Sequence, residues 1–153
     1  MTDKPAKKAV AASGDAASRG PAQFAKVQLT DEAIADLKGI EQRAPAVLTE
    51  VFRALKRLDA GTLRPVPLND YGKTGDLSDC GKIVVETEGH PEYRIVVRDV
   101  GNGVEVLEVV TVEERTQDLA YLITGVRLGR ITDPIRRSDT QRKIARIRRL
   151  RDT

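Results

Sequence analysis

The sequence predicts an α+β domain, with an N-terminal strand and a helical hairpin packed on an antiparallel sheet and a short helix after it. Three observations lead there. Val47, Leu48, Val51, Phe52, Leu55 and Leu58 recur at spacings of three and four, the period of an amphipathic helix. Three β-rich runs follow, at about 80–87 (CGKIVVET), 92–100 (EYRIVVRDV) and 103–112 (GVEVLEVVTV), separated by short glycine-containing turns. Helices and strands are also segregated along the chain, which favours an antiparallel sheet over the alternating order of parallel α/β folds.

Residues 1–22 are rich in Ala, Ser, Gly, Lys and Pro and offer no face to bury, so a disordered arm is expected. Residues 24–29 (FAKVQL) alternate and suggest a first strand. Thr30, Asp31 and Glu32 look like a helix start, with acids at the positive end of the helix dipole. Ile34, Leu37 and Ile40 give that helix a short apolar stripe. Pro45 restarts the chain, and Gly61 ends the second helix. Residues 62–79 hold Pro65, Pro67, Gly72 and Gly75 and read as a loop with little regular structure. Residues 115–125 can form a short helix through Leu119, Leu122 and Ile123. The domain is placed at 23–125 and a basic C-terminal extension at 126–153, with the sheet face opposite the hairpin left open to carry a site.

Composition narrows the function classes. No apolar run nears the roughly 18 residues that span a bilayer, and the N-terminus lacks the apolar core of a signal peptide. No membrane partner and a cytoplasmic location are expected. The single Cys80 rules out an internal disulfide framework, and with the lone His90 it cannot build a four-ligand structural zinc site. No metal or cofactor is expected. The net charge of +3 is unevenly spread: residues 24–123 carry 12 basic and 18 acidic side chains, whereas residues 124–153 carry 10 basic and three acidic. A basic end on an acidic domain favours nucleic acid or another acidic partner. Arg98, Arg127, Arg130, Arg136, Arg137, Arg142, Lys143 and Arg146 are the candidate nucleic-acid contacts.

Four stretches, LTDEAIADLKGIEQ…VLTEVFRALKRL, LSDCGKIVV, EYRIVVRDV and VEVLEVVTVEERTQDLAY, resemble in order and spacing the RelE/ParE superfamily of bacterial toxins. The resemblance covers roughly residues 24–123. It implies a RelE-like fold, a cognate antitoxin and, for the RelE branch, ribosome-dependent cleavage of mRNA with the RNA 2′-hydroxyl as nucleophile and no metal. It places Lys82 on the family's catalytic lysine and Arg94 on its phosphate-binding arginine. Arg115 falls on the arginine that stabilises the transition state or acts as acid. Tyr121 falls on the tyrosine that stacks on a base or touches the 2′-hydroxyl. Strand alternation agrees, setting Arg94, Val96 and Arg98 on one face, as it does Lys82, Val84 and Glu86.

The sequence departs from the family at Val84, where a second lysine is frequent, at Glu113 and Glu114, where the family is usually basic or Gly, and at Gln117. These departures support the alternative, a non-nuclease member: a gyrase-directed ParE-like toxin or a nucleic-acid- or protein-binding adaptor. In the nuclease reading, Glu113 or Glu114 could serve as base. His90 reads as an exposed turn histidine and Cys80 as a structural thiol. The extension DPIRRSDTQRKIARIRRLRDT exceeds the family's length. Ser138 or Asp139 can cap a helix there, with Ile144, Ile147 and Leu150 in a narrow stripe among Arg142, Lys143, Arg146, Arg148, Arg149 and Arg151. Folding on RNA or DNA, docking on an acidic antitoxin and disorder are the three readings of that segment.

Overall fold

Thr30 opens the first helix as the sequence predicts, in a computed structural model that describes residues 24–152. The expected arm at 1–22 lies outside the described residues. Strand β1 (Val27–Leu29) leads into α1 (Asp31–Arg43), where the Thr30 hydroxyl accepts the Ala33 amide at 3.0 Å. That bond satisfies one of the amides every helix start leaves unpaired. Ala44 alone separates α1 from α2 (Pro45–Ala60). Pro45 stands in the first turn, where its missing N–H costs nothing. Gly61 closes α2 with φ 79, a left-handed geometry that glycine adopts without a steric penalty.

The sheet is mixed rather than antiparallel throughout. Its order is β1, β7 (Leu107–Glu114), β6 (Tyr93–Asp99), β5 (Cys80–Val85) and β2 (Val66–Pro67). Strands β5, β6 and β7 form the expected meander. Strand β1, however, lies parallel to β7, with Val27 opposite Leu107 and Leu29 opposite Val109. The segment read as a loop holds three two-residue strands. Strand β2 pairs with β5, and β3 (Asp70–Tyr71) pairs with β4 (Gly75–Asp76) in a small separate hairpin.

The boundaries of β7 differ from expectation for a specific reason. The Asp99 carboxylate accepts the amides of Gly101 at 2.9 Å and Val106 at 3.3 Å, and Val100 N–H donates to Val106 C=O at 2.8 Å. This closes a wide turn over 100–106 in place of a two-residue one. At its other end β7 runs on through Glu113 and Glu114, and Arg115 N–H still donates to Glu92 C=O at 2.9 Å.

The main core lies between the helical hairpin and one sheet face. There Ile40, Val47, Val51 and Leu55 meet Ile83, Ile95, Val109 and Val112, all buried. The opposite face does not stay open. Helix α3 (Leu119–Arg127) and the β3–β4 hairpin cover it: Leu68, Leu77, Cys80, Val96 and Tyr121 form a second cluster. Within that layer the Thr124 hydroxyl reaches both Thr111 Oγ1 at 2.9 Å and Ala120 C=O at 2.8 Å.

Residues of the C-terminal extension form α4 (Pro134–Arg151), an 18-residue helix. It begins before Ser138, because Asp133 caps it by accepting Ile135 N–H at 3.2 Å and Pro134 fills the first turn. Ile144 and Ile147 bury against Leu119, Leu122 and Ile123 of α3, whereas Leu150 stays exposed. Among the described residues no helix is long and apolar enough to cross a membrane.

Candidate functional site

Strand register brings most of the expected site residues to the face under α3. Lys82 is opposite Val96, Val84 opposite Arg94, and Cys80 opposite Arg98, so all six share that face. Arg94 is the centre of the group. Its Nε donates to the Tyr121 hydroxyl at 3.0 Å, and its Nη1 donates to Glu92 Oε1 at 2.9 Å and to Tyr93 C=O at 3.3 Å. Arg94 is 7% exposed and Tyr121 9%. A guanidinium this buried requires partners for its donors, and Tyr121 and Glu92 supply them. The Arg94 hydrogen bond also holds the Glu92 carboxyl below the usual range for a glutamate.

Arg115 follows β7 with its side chain half exposed, and its nearest acid is Asp118 at 3.7 Å. Asp118 also takes Lys73 Nζ at 3.5 Å. The turn carrying Asp118 is unusual. Gln117 and Asp118 have φ 50 and φ 64, two consecutive non-glycine residues in the left-handed region. Each costs of order 1 kcal/mol, and such strain is held only where surrounding contacts fix it. Lys82 is half-buried, and its side chain makes no hydrogen bond or ion pair among the described residues.

The remaining arginines divide into two groups. Three face inward or pair within the domain. Arg98 Nε donates to Glu108 at 2.9 Å, and Arg130 forks onto both carboxylate oxygens of Asp79 at 2.8 Å. Arg127 forks onto Asp36 at 2.7 and 2.9 Å and also donates to Val110 C=O at 3.0 Å. Arg127, one of the candidate nucleic-acid contacts, seals the edge of β7 beyond the end of β1. The other group lies on α4. Arg136 reaches Gly72 C=O and Arg142 pairs with Asp139, while the side chains of Arg137, Lys143 and Arg146 make no ion pair among the described residues. Arg142, Arg146 and Arg149 are exposed and recur at helical spacing, forming one cationic stripe.

Glu113 and Glu114 do not flank a phosphate site as solvated charges. Glu113 is 3% exposed and accepts from Arg43 at 3.0 Å, Arg151 at 2.6 Å and Arg148 at 3.5 Å. Glu114 accepts from the hydroxyls of Thr116 at 3.0 Å and Tyr93 at 3.5 Å. Both are committed to structure. A separate groove of about 940 Å³ opens beside them, lined by residues including Arg43, Pro91, Tyr93, Gln117, Leu150 and exposed His90. Cys80 is buried, and desolvation pushes its thiol up to about 12, with Asp79 adding to the effect. It therefore stays protonated and poorly nucleophilic at neutral pH. Among the described residues no group of three or more His, Cys, Asp and Glu side chains is placed to hold a metal ion.

Some of this was missed in the sequence. Glu92 stands two residues before Arg94, on the same strand face, so alternation could have flagged it. Tyr71 and Lys73 lie in a stretch without periodicity and gave no signal. Chemically, the site offers a tyrosine hydroxyl fixed by a guanidinium, with one half-buried lysine and one half-exposed arginine beside it. Such a set can bind an anion through its cations and position a hydroxyl-bearing substrate. Compared with protein-family models, curated proteins and solved structures, the chain matches none.

Proposed function

We propose that the chain is a RelE-like toxin of a toxin–antitoxin system that cleaves ribosome-bound mRNA without a metal. The contact that carries this reading is Arg94 Nε to Tyr121 Oη at 3.0 Å, across 27 residues of sequence, on a face that also holds Lys82 and adjoins Arg115. In the reaction the 2′-oxygen bonds to phosphorus as the bond to the 5′-oxygen breaks. The 2′-proton must be accepted and the leaving oxygen protonated. Arg94 and Arg115 would neutralise charge on the phosphorane, with Lys82 and Tyr121 on the 2′-hydroxyl side. An acidic antitoxin would then neutralise the toxin.

A second reading has its own observation. Glu92 occupies Arg94 Nη1 at 2.9 Å, a position that a phosphate oxygen would have to take over. This favours a non-nuclease member of the superfamily, either a gyrase-directed toxin or an adaptor that binds through the α4 stripe. Expression of the chain without an antitoxin separates the two. Growth arrest with cleaved transcripts, both relieved more than about tenfold by Arg115→Ala or Lys82→Ala, fits the nuclease. Growth arrest with intact transcripts and inhibited gyrase fits the alternative, and unimpaired growth removes the toxin reading.

A further inference from the structure

We infer that Tyr71 is a stacking platform for an unpaired nucleobase, forming a subsite beside Arg94 and Tyr121 that accepts single-stranded nucleic acid. This rests on the reading of the Arg94 face as an RNA site and names the part of the substrate it would hold.

The chain has only three tyrosines and two phenylalanines. Tyr93 and Tyr121 are buried, whereas Tyr71 is 36% exposed. Its ring centroid lies 6.4 Å from that of Tyr121, with the planes tilted by 31°. Tyr71 thus extends the aromatic surface of the site outward, from the tyrosine that Arg94 holds towards solvent. Exposed aromatic rings beside cations are how proteins hold single strands without reading their sequence, since every base offers a π-face.

The ring is also held in place. The β3–β4 hairpin that carries Tyr71 is anchored by buried Leu68, Thr74 and Leu77. Arg136 of α4 donates to Gly72 C=O. Gly75 and Gly125 allow close backbone approach: a Cβ on Gly75 would lie 2.2 Å from Arg130 O, and one on Gly125 would lie 2.3 Å from Thr74 O. A hairpin seated this tightly loses little freedom when a base stacks on it, which strengthens binding. Two lysines lie on the elements that carry the site. Lys73 is on the same hairpin, with its ammonium 3.5 Å from Asp118. Lys82 lies opposite Val96, which shares a cluster with Tyr121.

The test uses the full chain and a single-stranded 2′-O-methyl RNA hexamer, which cannot be cleaved, carrying 2-aminopurine at one central position. Stacking quenches that base. Wild type and Tyr71→Phe should both quench it. Tyr71→Leu should bind about 5- to 150-fold more weakly, the range for loss of one stacked base, while keeping the wild-type melting temperature. An otherwise identical hexamer lacking that base should bind wild type and Tyr71→Leu equally. Equal quenching and affinity for wild type and Tyr71→Leu would overturn the inference and leave the toxin reading standing. Absence of any binding by wild type would also overturn it, and growth arrest with transcript cleavage would then judge the toxin reading separately.

Discussion

Arg151 Nη1 donates to Glu113 Oε1 at 2.6 Å, joining residues 38 apart in sequence and fastening the last turn of α4 to the end of β7. Arg43 of α1 and Arg148 of α4 meet the same carboxylate at 3.0 and 3.5 Å. One buried acid thus ties three elements together, and the extension is part of the folded body.

Glu113→Ala should therefore weaken the fold at its C-terminal end. The change leaves three guanidiniums facing a site without its anion. Breaking a buried ion pair costs about 3–5 kcal/mol, and the low end applies here because Arg43 and Arg148 keep contact with water. Urea unfolding should show that loss, together with faster proteolysis within α4. Replacing both members, as in Glu113→Leu with Arg151→Met, should cost less than Glu113→Ala alone. If Glu113→Ala unfolds at the wild-type urea concentration, the cluster does not hold α4.

Arg127 makes a parallel case inside the sheet. Among the described residues, the outer edge of β7 beyond Val109 has no neighbouring strand, since β1 pairs only as far as Leu29. Asp36 accepts Val112 N–H at 2.9 Å, and Arg127 covers Val110 C=O while forking onto Asp36. Arg127→Lys keeps the charge but loses the fork. It should cost about 1–2 kcal/mol, and Arg127→Ala about 3–5 kcal/mol. Affinity for single-stranded RNA, measured on protein that remains folded, should barely change. A large fall in affinity with unchanged stability would instead make Arg127 a nucleic-acid contact.

These two pairs mark what was legible in the sequence. The helical hairpin was, because Val47, Val51, Leu55 and Leu58 repeat at the helical period and all four are buried. Strands β5 and β6 were, because they alternate between two faces. Partners such as Asp36 and Arg127, 91 residues apart, leave no periodic trace. Nor did the parallel placement of β1 or the β3–β4 hairpin, whose residues look like any Gly- and Pro-rich loop. Helix α4 docks by two isoleucines and its arginines, too few apolar positions to announce a buried face. At the site, alternation grouped Arg94 with Arg98 and Lys82 with Val84, and the strand register then set both groups on the same face. The cover that α3 gives that face was not foreseen, because a stretch as short as 119–127 does not reveal which side of a sheet it will occupy.

Acid should reveal a third tie. The Arg130 fork holds the Asp79 carboxyl down at about 2 against an ordinary 3.8. The folded chain binds that proton more weakly than the unfolded chain. The pair therefore contributes its full stability above about pH 4 and loses it as the pH falls towards 2. Asp79 is half exposed, so solvent screening keeps the effect near about 1 kcal/mol or below. Asp79→Asn should be less stable than wild type near neutral pH, and the two melting curves should converge at about pH 2. A constant gap across that range would mean that the fork contributes by packing rather than by charge.

Gly125 tests how tightly the hairpin beneath Tyr71 is seated. Two opposing effects meet in Gly125→Ala. Alanine favours a helix interior by about 1 kcal/mol over glycine. Its Cβ, however, would lie 2.3 Å from the carbonyl oxygen of buried Thr74, a backbone atom that no side-chain rotation can move aside. Overpacking of this kind costs about 1–3 kcal/mol, so the clash should offset the helix gain and leave the variant up to about 2 kcal/mol less stable. Gly39→Ala in α1 is the contrast. There the new Cβ meets only the far end of Arg43, at 3.0 Å, which can give by a few tenths of an ångström at some cost to its bond with Glu113, so this variant should stay within about 1 kcal/mol of wild type. Gly125→Ala should also displace the β3–β4 hairpin from α3 and reduce quenching of the 2-aminopurine hexamer, whereas Gly39→Ala should leave quenching unchanged. Equal stability and equal quenching in the two variants would show that the hairpin is not seated on α3 in solution, and Tyr71 would then have no fixed place beside Tyr121.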